Sequence, residues 1–356
     1  MRVACVVPGD IETTSGGFGY DRRLVDALRD AGDDVSVHSV PWRRYPCGLV
    51  DAPRLSGTPF AGSDVVVVDE LAHPTFAGVA FEEWDQPVVA LVHHLRCDEG
   101  GVDAPLARAL ERRFLARVDA ALCTSSATAR AVDALLDSPP PTLVAPPTAD
   151  QFEPTLTPAD VDARATSDPF RVLFLGSLVP RKRPVALVDA LAAVDTGNWR
   201  ATFVGPQPDS RYADRVRRRC RRRGVDDRVT LTGELPTDEV AAALREGHVL
   251  VLPSTHEGFG IAALEGMGFG LPAIVTSAGG ATDLVTHDET GFLVPPDGTG
   301  AVYAALSTLA SDRARLARMG RAALARARSW PSWSETVDEV RPFLRQVVDT
   351  RPGRPA

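Results

Sequence analysis

Short apolar runs alternate with amphipathic stretches along most of the chain. The first half contains six apolar runs of strand length, bounded by turn residues: Arg2–Val7, Val35–Val40, Val65–Val68, Val88–His93, Ala120–Cys123 and Thr142–Ala145. Apolar residues at helical spacing lie between them, as in Asp21–Arg29 and Leu106–Val118. Because apolar strands that alternate with helices form parallel sheets, this half predicts a doubly wound α/β domain.

A second series of the same kind begins at residue 171. Its predicted strands are Arg171–Leu175, Thr202–Val204, Val229–Leu231, Val249–Leu252, Ala273–Val275 and Phe292–Val294. The intervening segment Pro146–Pro169 is rich in Pro, Thr and Asp, which is typical of a linker. We therefore predict two Rossmann-like domains, at residues 1–165 and 168–330. Ligands would bind in a cleft between the carboxyl ends of the two sheets.

Composition narrows the class of protein. The chain has 356 residues and a net charge of −8, which argues against nucleic acid as the main partner. Its five cysteines form no C-x-x-C pair, so we expect no disulfide framework, no structural zinc and a cytoplasmic location. The apolar run Val3–Val7 ends at Pro8, which predicts a strand rather than a signal peptide. No apolar run is long enough to span a membrane.

The loop after the predicted strand Val249–Leu252 carries two carboxylates and a Gly-rich turn. It runs from Glu257 to Glu265, and a short helix is predicted to start within it. A helix start presents unpaired backbone N–H groups, which bind anions such as phosphate. At helical spacing the two carboxylates are roughly 10–12 Å apart, which suits a nucleotide sugar. The alternative is an ordinary strand-to-helix turn whose glutamates face solvent.

Lys182 is the only lysine among 39 basic residues. It follows the predicted strand Arg171–Leu175 in a loop that also carries Arg181. Its ammonium is a compact, strongly hydrated point charge, unlike the planar guanidinium of arginine. A lone lysine can arise by chance in an arginine-rich chain, but its position after a strand favours a contact with phosphate.

These motifs resemble glycosyltransferase family 4, the group 1 glycosyltransferases, which are retaining enzymes of GT-B architecture. The shared features are the E-x7-E pair around GFG, the basic loop Gly176–Lys182, the pair Gly279-Gly280 followed by Asp283, and Gly291–Val294. The resemblance covers most of residues 168–300. It also implies that a last helix, at about residues 331–350, packs back on the N-terminal domain. Ser177 departs from the family, since many members carry arginine there, and Arg181 would have to compensate.

The resemblance implies roles for the residues of the C-terminal domain. Lys182 and Arg181 would neutralise the leaving diphosphate. Glu265 would accept hydrogen bonds from both ribose hydroxyls, and Glu257 would hold hydroxyls of the sugar. It further implies that backbone groups bind phosphate, sugar and base, and these belong to Gly258, Phe259, Gly260, Ile261 and Leu235.

In the N-terminal half the resemblance implies that Gly16, Gly17 and His93 face the ligand. The glycines would let the backbone approach it closely, and His93 would hydrogen-bond the transferred sugar. Adjacent strand residues face opposite ways, so His94 is the alternative. The glycines do not complete a G-x-G-x-x-G fingerprint, because Arg22 stands at the third position. An NAD-dependent oxidoreductase is therefore disfavoured.

The expected activity is metal-independent, because no DxD run suited to a divalent metal stands at a loop tip. The resemblance implies retaining hexosyl transfer from a UDP-, GDP- or ADP-linked sugar to an unidentified acceptor hydroxyl. Two alternatives stay open. One is a GT-B sugar epimerase or phosphorylase, and the other is a non-catalytic GT-B binding protein.

The segment from Arg215 to Arg223 contains seven arginines. Tyr212, Val216 and Cys220 recur every four residues, which predicts a helix with one narrow apolar stripe. We expect the arginines to form a solvated face. The alternative is weak peripheral contact with an anionic membrane.

Overall fold

The computed structural model describes residues 1–13, 16–43, 45–55, 60–81, 84–149, 151–152, 154–195 and 198–351. The chain divides into two compact units, each with one six-stranded parallel sheet. Unit 1 is formed by Met1–Pro147 and Pro331–Ala356, and unit 2 by Thr148–Trp330. The predicted fold class, two Rossmann-like doubly wound domains, is confirmed.

Unit 1 contains all six strands predicted for the first half. They are β1 (Arg2–Pro8), β2 (Asp34–Val40), β3 (Val65–Asp69), β4 (Val88–Val92), β5 (Ala120–Cys123) and β6 (Thr142–Val144). The strand order across the sheet is β2-β1-β3-β4-β5-β6. Its helices are α1 (Gly16–Asp30), α2 (His73–Phe76), α3 (Ala104–Leu115), α4 (Ser126–Leu135) and, at the far end of the chain, α13 (Trp333–Thr350). Strands β3, β4 and β5 are buried at every position, which explains why they appear in the sequence as unbroken apolar runs.

Helix α13 completes the core of unit 1. One face of the helix buries four aliphatic side chains in the cluster formed by β1 and α1, and these are Val337, Val340, Leu344 and Val347. Full burial of such a side chain contributes about 1.5–3 kcal/mol. Arg341 adds two hydrogen bonds, of 2.7 and 3.2 Å, to the carboxylate of buried Asp33. The helix is therefore part of unit 1, although unit 2 precedes it in the chain.

Unit 2 contains the second strand series. Its strands are β7 (Phe170–Leu175), β8 (Trp199–Val204), β9 (Val229–Gly233), β10 (Val249–Leu252), β11 (Ala273–Thr276) and β12 (Gly291–Val294), in the order β12-β11-β10-β7-β8-β9. Its helices are α5 (Pro158–Ala165), α6 (Pro184–Ala192), α7 (Ser210–Arg223), α8 (Thr237–Glu246), α9 (Ile261–Gly268), α10 (Ala281–Leu284), α11 (Thr299–Ser311) and α12 (Arg313–Arg328). Within the part of the chain that is described, no helix combines the length and apolar character needed to cross a bilayer.

The predicted domain boundary at residue 165 is wrong, and so is the assignment of Pro146–Pro169 as a linker throughout. Helix α5 lies inside that segment, packs on α12 and belongs to unit 2. Thr157 and Asp160 form a reciprocal capping box at its start. Pro158 occupies the first turn, where a missing N–H costs nothing. The Pro-rich composition therefore concealed a helix rather than marking a linker.

Each sheet has one point at which the strand order reverses. In unit 1 this point lies between β1 and β3, and in unit 2 it lies between β7 and β10. The connections on either side of such a point run to opposite faces of the sheet, which opens a crevice at the carboxyl ends of the strands. In unit 2, β7 leads into the loop of Lys182 and β10 into the loop of Glu257.

Candidate active site

The predicted residues Lys182 and Glu257 meet in unit 2. Lys182 ends a 3-10 turn after β7, and its Nζ donates to Glu257 Oε1 at 2.6 Å. Their side chains are 16% and 6% exposed, so the pair is largely shielded from water. Ser254, which follows β10, donates its hydroxyl to the same oxygen. These contacts fix the carboxylate at the point where the strand order reverses.

Glu257 is held in its ionised form. Burial acts to raise the pKa of Glu257. The charges of Lys182 and Arg181, with hydrogen bonds from Lys182 and Ser254, outweigh burial and lower that pKa below its ordinary value. The guanidinium of Arg181 donates to the carbonyl of His256 at 3.0 Å. Two cations face one carboxylate, so this group of side chains carries a net positive charge.

Helix α9 begins four residues after Glu257. Its N-cap, Gly260, has a φ of +95°, which side chains of L-residues rarely adopt. Among the described residues, no acceptor is found for the amides of Phe259, Gly260, Ile261 and Ala262. Free amides at a helix start, together with the helix dipole, attract anions. The backbone that is predicted to bind phosphate therefore presents these amides at the start of α9, and phosphate binding itself stays a prediction.

Gly279 packs against the backbone of Glu257 without room for a side chain. The two residues form a parallel bridge, and the amide of Gly280 donates to the Glu257 carbonyl at 2.8 Å. A Cβ on Gly279 would lie 1.9 Å from that carbonyl oxygen, and its φ is +105°. The Gly279-Gly280 motif therefore fixes the Glu257 loop.

Other predicted residues of unit 2 are placed less directly. The ring of Phe259 is buried against Trp330, with 5.4 Å between ring centroids, so only its backbone is available to a ligand. Glu265 lies within α9 and is 8% exposed. Leu235 follows β9 at the edge of the sheet, two strands from β7. Its contact with a base, like the ribose contact of Glu265, stays a prediction.

In unit 1, His93 lies beside Gly17, which is in the first turn of α1 after Gly16. A Cβ on Gly17 would lie 3.5 Å from His93 Cδ2. His93 Nε2 is 2.9 Å from Oδ1 of Asp21, whereas His94 contacts Glu99 at 2.9 Å. The two adjacent histidines therefore have different partners.

Asp21 and Asp69 join the candidate site of unit 1, although neither was predicted from the sequence. Both carboxylates are buried beside His93. Asp21 belongs to the inner face of α1, with Val25 four residues and Leu28 seven residues further on. A charged residue at helical spacing on an otherwise apolar face was the signal available in the sequence.

The arginine-rich segment forms α7. Val216 and Cys220 are buried, which confirms the predicted apolar stripe. Arg219 and Arg223 both bind the carboxylate of Asp189, at 2.6 and 2.7 Å. Contact with an anionic membrane stays a prediction, and sedimentation with anionic vesicles at low salt would test it.

Two family models match the chain. The model for "Glycosyl transferases group 1" matches residues 159–326, and that for "Glycosyl transferase 4-like domain" matches residues 3–148. The D-inositol 3-phosphate glycosyltransferase of Corynebacterium glutamicum (strain R) is 33% identical over 50% of this chain and 43% of its own length. The chain spans less than two thirds of the length of the first curated relatives it matches.

Solved structures share the fold. Sucrose-phosphate synthase from Thermosynechococcus elongatus matches with a TM-score of 0.84 at 21% identity, over 98% of this chain and 100% of that one. HepE from Anabaena, solved with UDP-glucose, matches with a TM-score of 0.76 at 18% identity, over 97% and 100%. These likenesses show the GT-B fold.

Proposed function

The chain belongs to the group 1 glycosyltransferases of family 4, and on that premise we propose that it moves a hexosyl group from a nucleotide-diphosphate sugar to an acceptor hydroxyl. The observation that carries the proposal is the buried Lys182–Glu257 pair between β7 and β10, close in sequence to four amides for which the described residues offer no acceptor. A diphosphate is recognised by this combination of a cation and a helix start.

The same contacts suggest how a donor is received. Lys182 is neutralised by Glu257 in the free protein. A bound diphosphate offers the ammonium a second anion, while the sugar hydroxyls offer Glu257 new hydrogen-bond donors. Lys182 and Arg181 then stabilise the negative charge that develops on the departing phosphate. Glu265 is proposed to hold the ribose hydroxyls.

We propose that the transfer retains the anomeric configuration and needs no metal. The acceptor oxygen forms a bond to the anomeric carbon as the bond from that carbon to the phosphate oxygen breaks, and both events occur on the same face of the sugar. The leaving phosphate oxygen takes the proton of the acceptor hydroxyl. The charge stabilisation that a divalent cation supplies in other transferases is assigned to Lys182, Arg181 and the start of α9. This division of labour gives each cation near Glu257 a role.

The comparisons suggest which substrates to test first. A structural neighbour was solved with UDP-glucose, and curated relatives are named for D-inositol 3-phosphate. We therefore propose a UDP-sugar as the first donor and an inositol phosphate as the first acceptor. GDP-linked and ADP-linked sugars are the donors to test next.

The lone lysine permits a direct test of donor binding. Amine-directed acetylation can reach only Lys182 and the N-terminal amine, which pairs with Asp33. At nucleotide concentrations ten times Kd, modification of Lys182 should slow roughly tenfold. The N-terminal amine is the internal control. Equal modification of Lys182 with and without UDP, GDP and ADP would contradict the proposed donor site.

A transfer assay separates the proposed reaction from its alternatives. Donor consumed without an acceptor indicates an epimerase or a hydrolytic activity, sugar phosphate formed from inorganic phosphate indicates a phosphorylase, and binding without turnover indicates a non-catalytic protein. NMR of the glycoside product reports its configuration, and an inverted product would overturn retention. Activity should survive EDTA, and its complete loss would overturn the metal-free proposal.

A further inference from the structure

A second buried group of titratable side chains lies at the reversal point of the unit 1 sheet. Asp69 ends β3, His93 directly follows β4, and Asp21 lies on α1. Oxygen and nitrogen atoms of the three side chains lie within 4.8 Å of one another. Three separate elements of unit 1 therefore bring one imidazole together with two carboxylates.

The imidazole of His93, when protonated, places a positive charge beside the buried carboxylate of Asp21. Asp21 Oδ1 is 2.9 Å from His93 Nε2, and Asp69 Oδ1 accepts from the Leu71 amide at 2.9 Å. Within the described part of the chain, the other oxygen of each carboxylate is buried without a hydrogen-bond partner. Burial and the neighbouring charge of Asp21 raise the pKa of Asp69 well above its ordinary value, so Asp21 is the carboxylate that needs a cation. A neutral histidine would leave Asp21 buried and unpaired, which is costly.

The surroundings keep the His93 ring in one orientation. Tyr20 packs edge-on against it, with 5.3 Å between ring centroids, and Gly17 lies along its Cδ2–Nε2 edge. The backbone carbonyl of His93 accepts from the hydroxyls of Thr124 and Thr128, at 3.0 and 3.2 Å. With Nε2 directed at Asp21, Nδ1 is the nitrogen left for a ligand. The side chain is 12% exposed.

We propose that Asp21 is a positioning residue that holds His93 as an imidazolium with Nε2 directed inward, so that Nδ1–H is the donor offered to a sugar hydroxyl. Only the contact with sugar depends on the proposed function. Burial acts to lower the pKa of His93, but Asp21 on α1, with Asp69 at the end of β3 and Glu70 directly after it, raises it to about 9.

Nitrogen-15 NMR of the full chain without ligand tests the protonation directly. The chain has seven histidines, and His93→Gln identifies the resonances of His93. At pH 7.5 both ring nitrogens should carry protons, and Asp21→Asn should lower the titration midpoint by about 1–3 pH units. Asp26→Asn, at an exposed position of the same helix, is the control and should leave the midpoint unchanged.

Either of two titration results would overturn the proposal. One is a neutral His93 at pH 7.5 in the wild-type protein, a measurement that needs no variant to fold. The other is an Asp21→Asn midpoint equal to that of the wild type. Uptake of Zn²⁺ or Mg²⁺ that strips the Nε2 proton would also overturn it, because the three side chains would then be metal ligands.

Activity distinguishes positioning from a purely structural role. If the Asp21→Asn midpoint falls to near 7, kcat/KM relative to wild type should be roughly tenfold lower at pH 8 than at pH 6, because the imidazolium fraction falls by about that factor. An equal loss at both pH values would mean that Asp21 acts on structure alone. If no sugar transfer is found, the proposed function fails while the NMR result stands.

Discussion

Both units place a charged pair where the strand order of a parallel sheet reverses, but the surrounding charges have different balances. In unit 2, Lys182 and Arg181 face the single carboxylate of Glu257. In unit 1, His93 faces Asp21 and Asp69. An excess of positive charge suits the diphosphate proposed for unit 2. In unit 1 burial raises the pKa of Asp69, so the charge of His93 is balanced by Asp21, which suits the neutral hydroxyl proposed as its partner. The same topology therefore carries two different charge arrangements, and the local side chains decide which.

The glycines of the two sites differ in how closely neighbouring atoms pack against them. Gly279 touches the Glu257 backbone so closely that a Cβ would overlap it, at 1.9 Å. Beside His93, a Cβ on Gly17 would make ordinary contact at 3.5 Å. Gly279 is therefore required by the fold of unit 2. At Gly17 a methyl group would fit, so the fold of unit 1 does not require a glycine there.

The largest effect is expected from Lys182→Ala. It should lower kcat/KM at least about a hundredfold, because it removes the cation proposed for the leaving phosphate. It should also destabilise the protein by about 3–5 kcal/mol, because buried Glu257 loses its partner. Steady-state kinetics and urea unfolding measure the two effects. The control Lys182→Ala/Glu257→Ala should recover stability but not activity, and unchanged turnover in the single variant would contradict the role of Lys182.

The contributions of the His93–Asp21 and Lys182–Glu257 pairs to the free energy of unfolding should be lost at opposite ends of the pH scale. The pKa of His93 is about 9 in the folded protein and about 6.5 in an unfolded chain, so its contribution is complete below pH 6.5 and is lost as the pH rises through 9. The loss is of order 3 kcal/mol in the free energy of unfolding. The lowered pKa of Glu257 has the reverse sign, so its contribution is lost in acid. Urea unfolding of wild type and His93→Gln across pH isolates the alkaline effect, and parallel pH curves would refute it.

Glu265→Ala tests nucleotide binding by unit 2, with a smaller expected effect than Lys182→Ala. Loss of hydrogen bonds between a carboxylate and the ribose should weaken nucleotide binding by about 1.5–3 kcal/mol, or roughly 10- to 100-fold in Kd. Calorimetry with the nucleotide that protects Lys182 measures this change. Glu239→Ala, at an exposed position of α8, is the matched control. Equal affinity of both variants for the nucleotide would count against the ribose contact.

Gly17→Ala should produce the smallest effect, and it should separate a change in activity from a change in stability. The methyl group fits and α1 gains helix propensity, so the melting temperature should stay level or rise slightly. Transfer should nevertheless fall roughly tenfold if the backbone at this position must approach a ligand. Gly279→Ala is the counterpart and should lower the melting temperature. Full activity in Gly17→Ala would remove the proposed role of that glycine.

Most of the fold could be predicted from the sequence, because parallel strands buried on both faces are visible as apolar runs. All twelve predicted strands are present in the two sheets. Helix α5 was missed because its capping residues and its proline are the same residue types that mark linkers. Local composition does not distinguish these cases until the buried partner, α12, is known.

The candidate site was predictable only in part. Motif resemblance singled out Lys182 and Glu257, but their mutual hydrogen bond joins residues 75 positions apart. The Asp21–His93 contact spans 72 positions and depends on the packing of α1 against the sheet. No periodic pattern in the sequence predicts such a long-range contact. Tertiary structure was therefore needed to show that the predicted residues neutralise one another.

The place of α13 in unit 1 has a consequence for biosynthesis. Unit 2 is one uninterrupted stretch, so its core can assemble on the ribosome while translation continues. Unit 1 receives its closing helix only when translation reaches residue 350, and until then the aliphatic groove over β1 and α1 has no cover. The half of the molecule that is synthesised first is therefore finished last. A nonsense codon just after Trp330 would spare the later unit and leave the earlier one open.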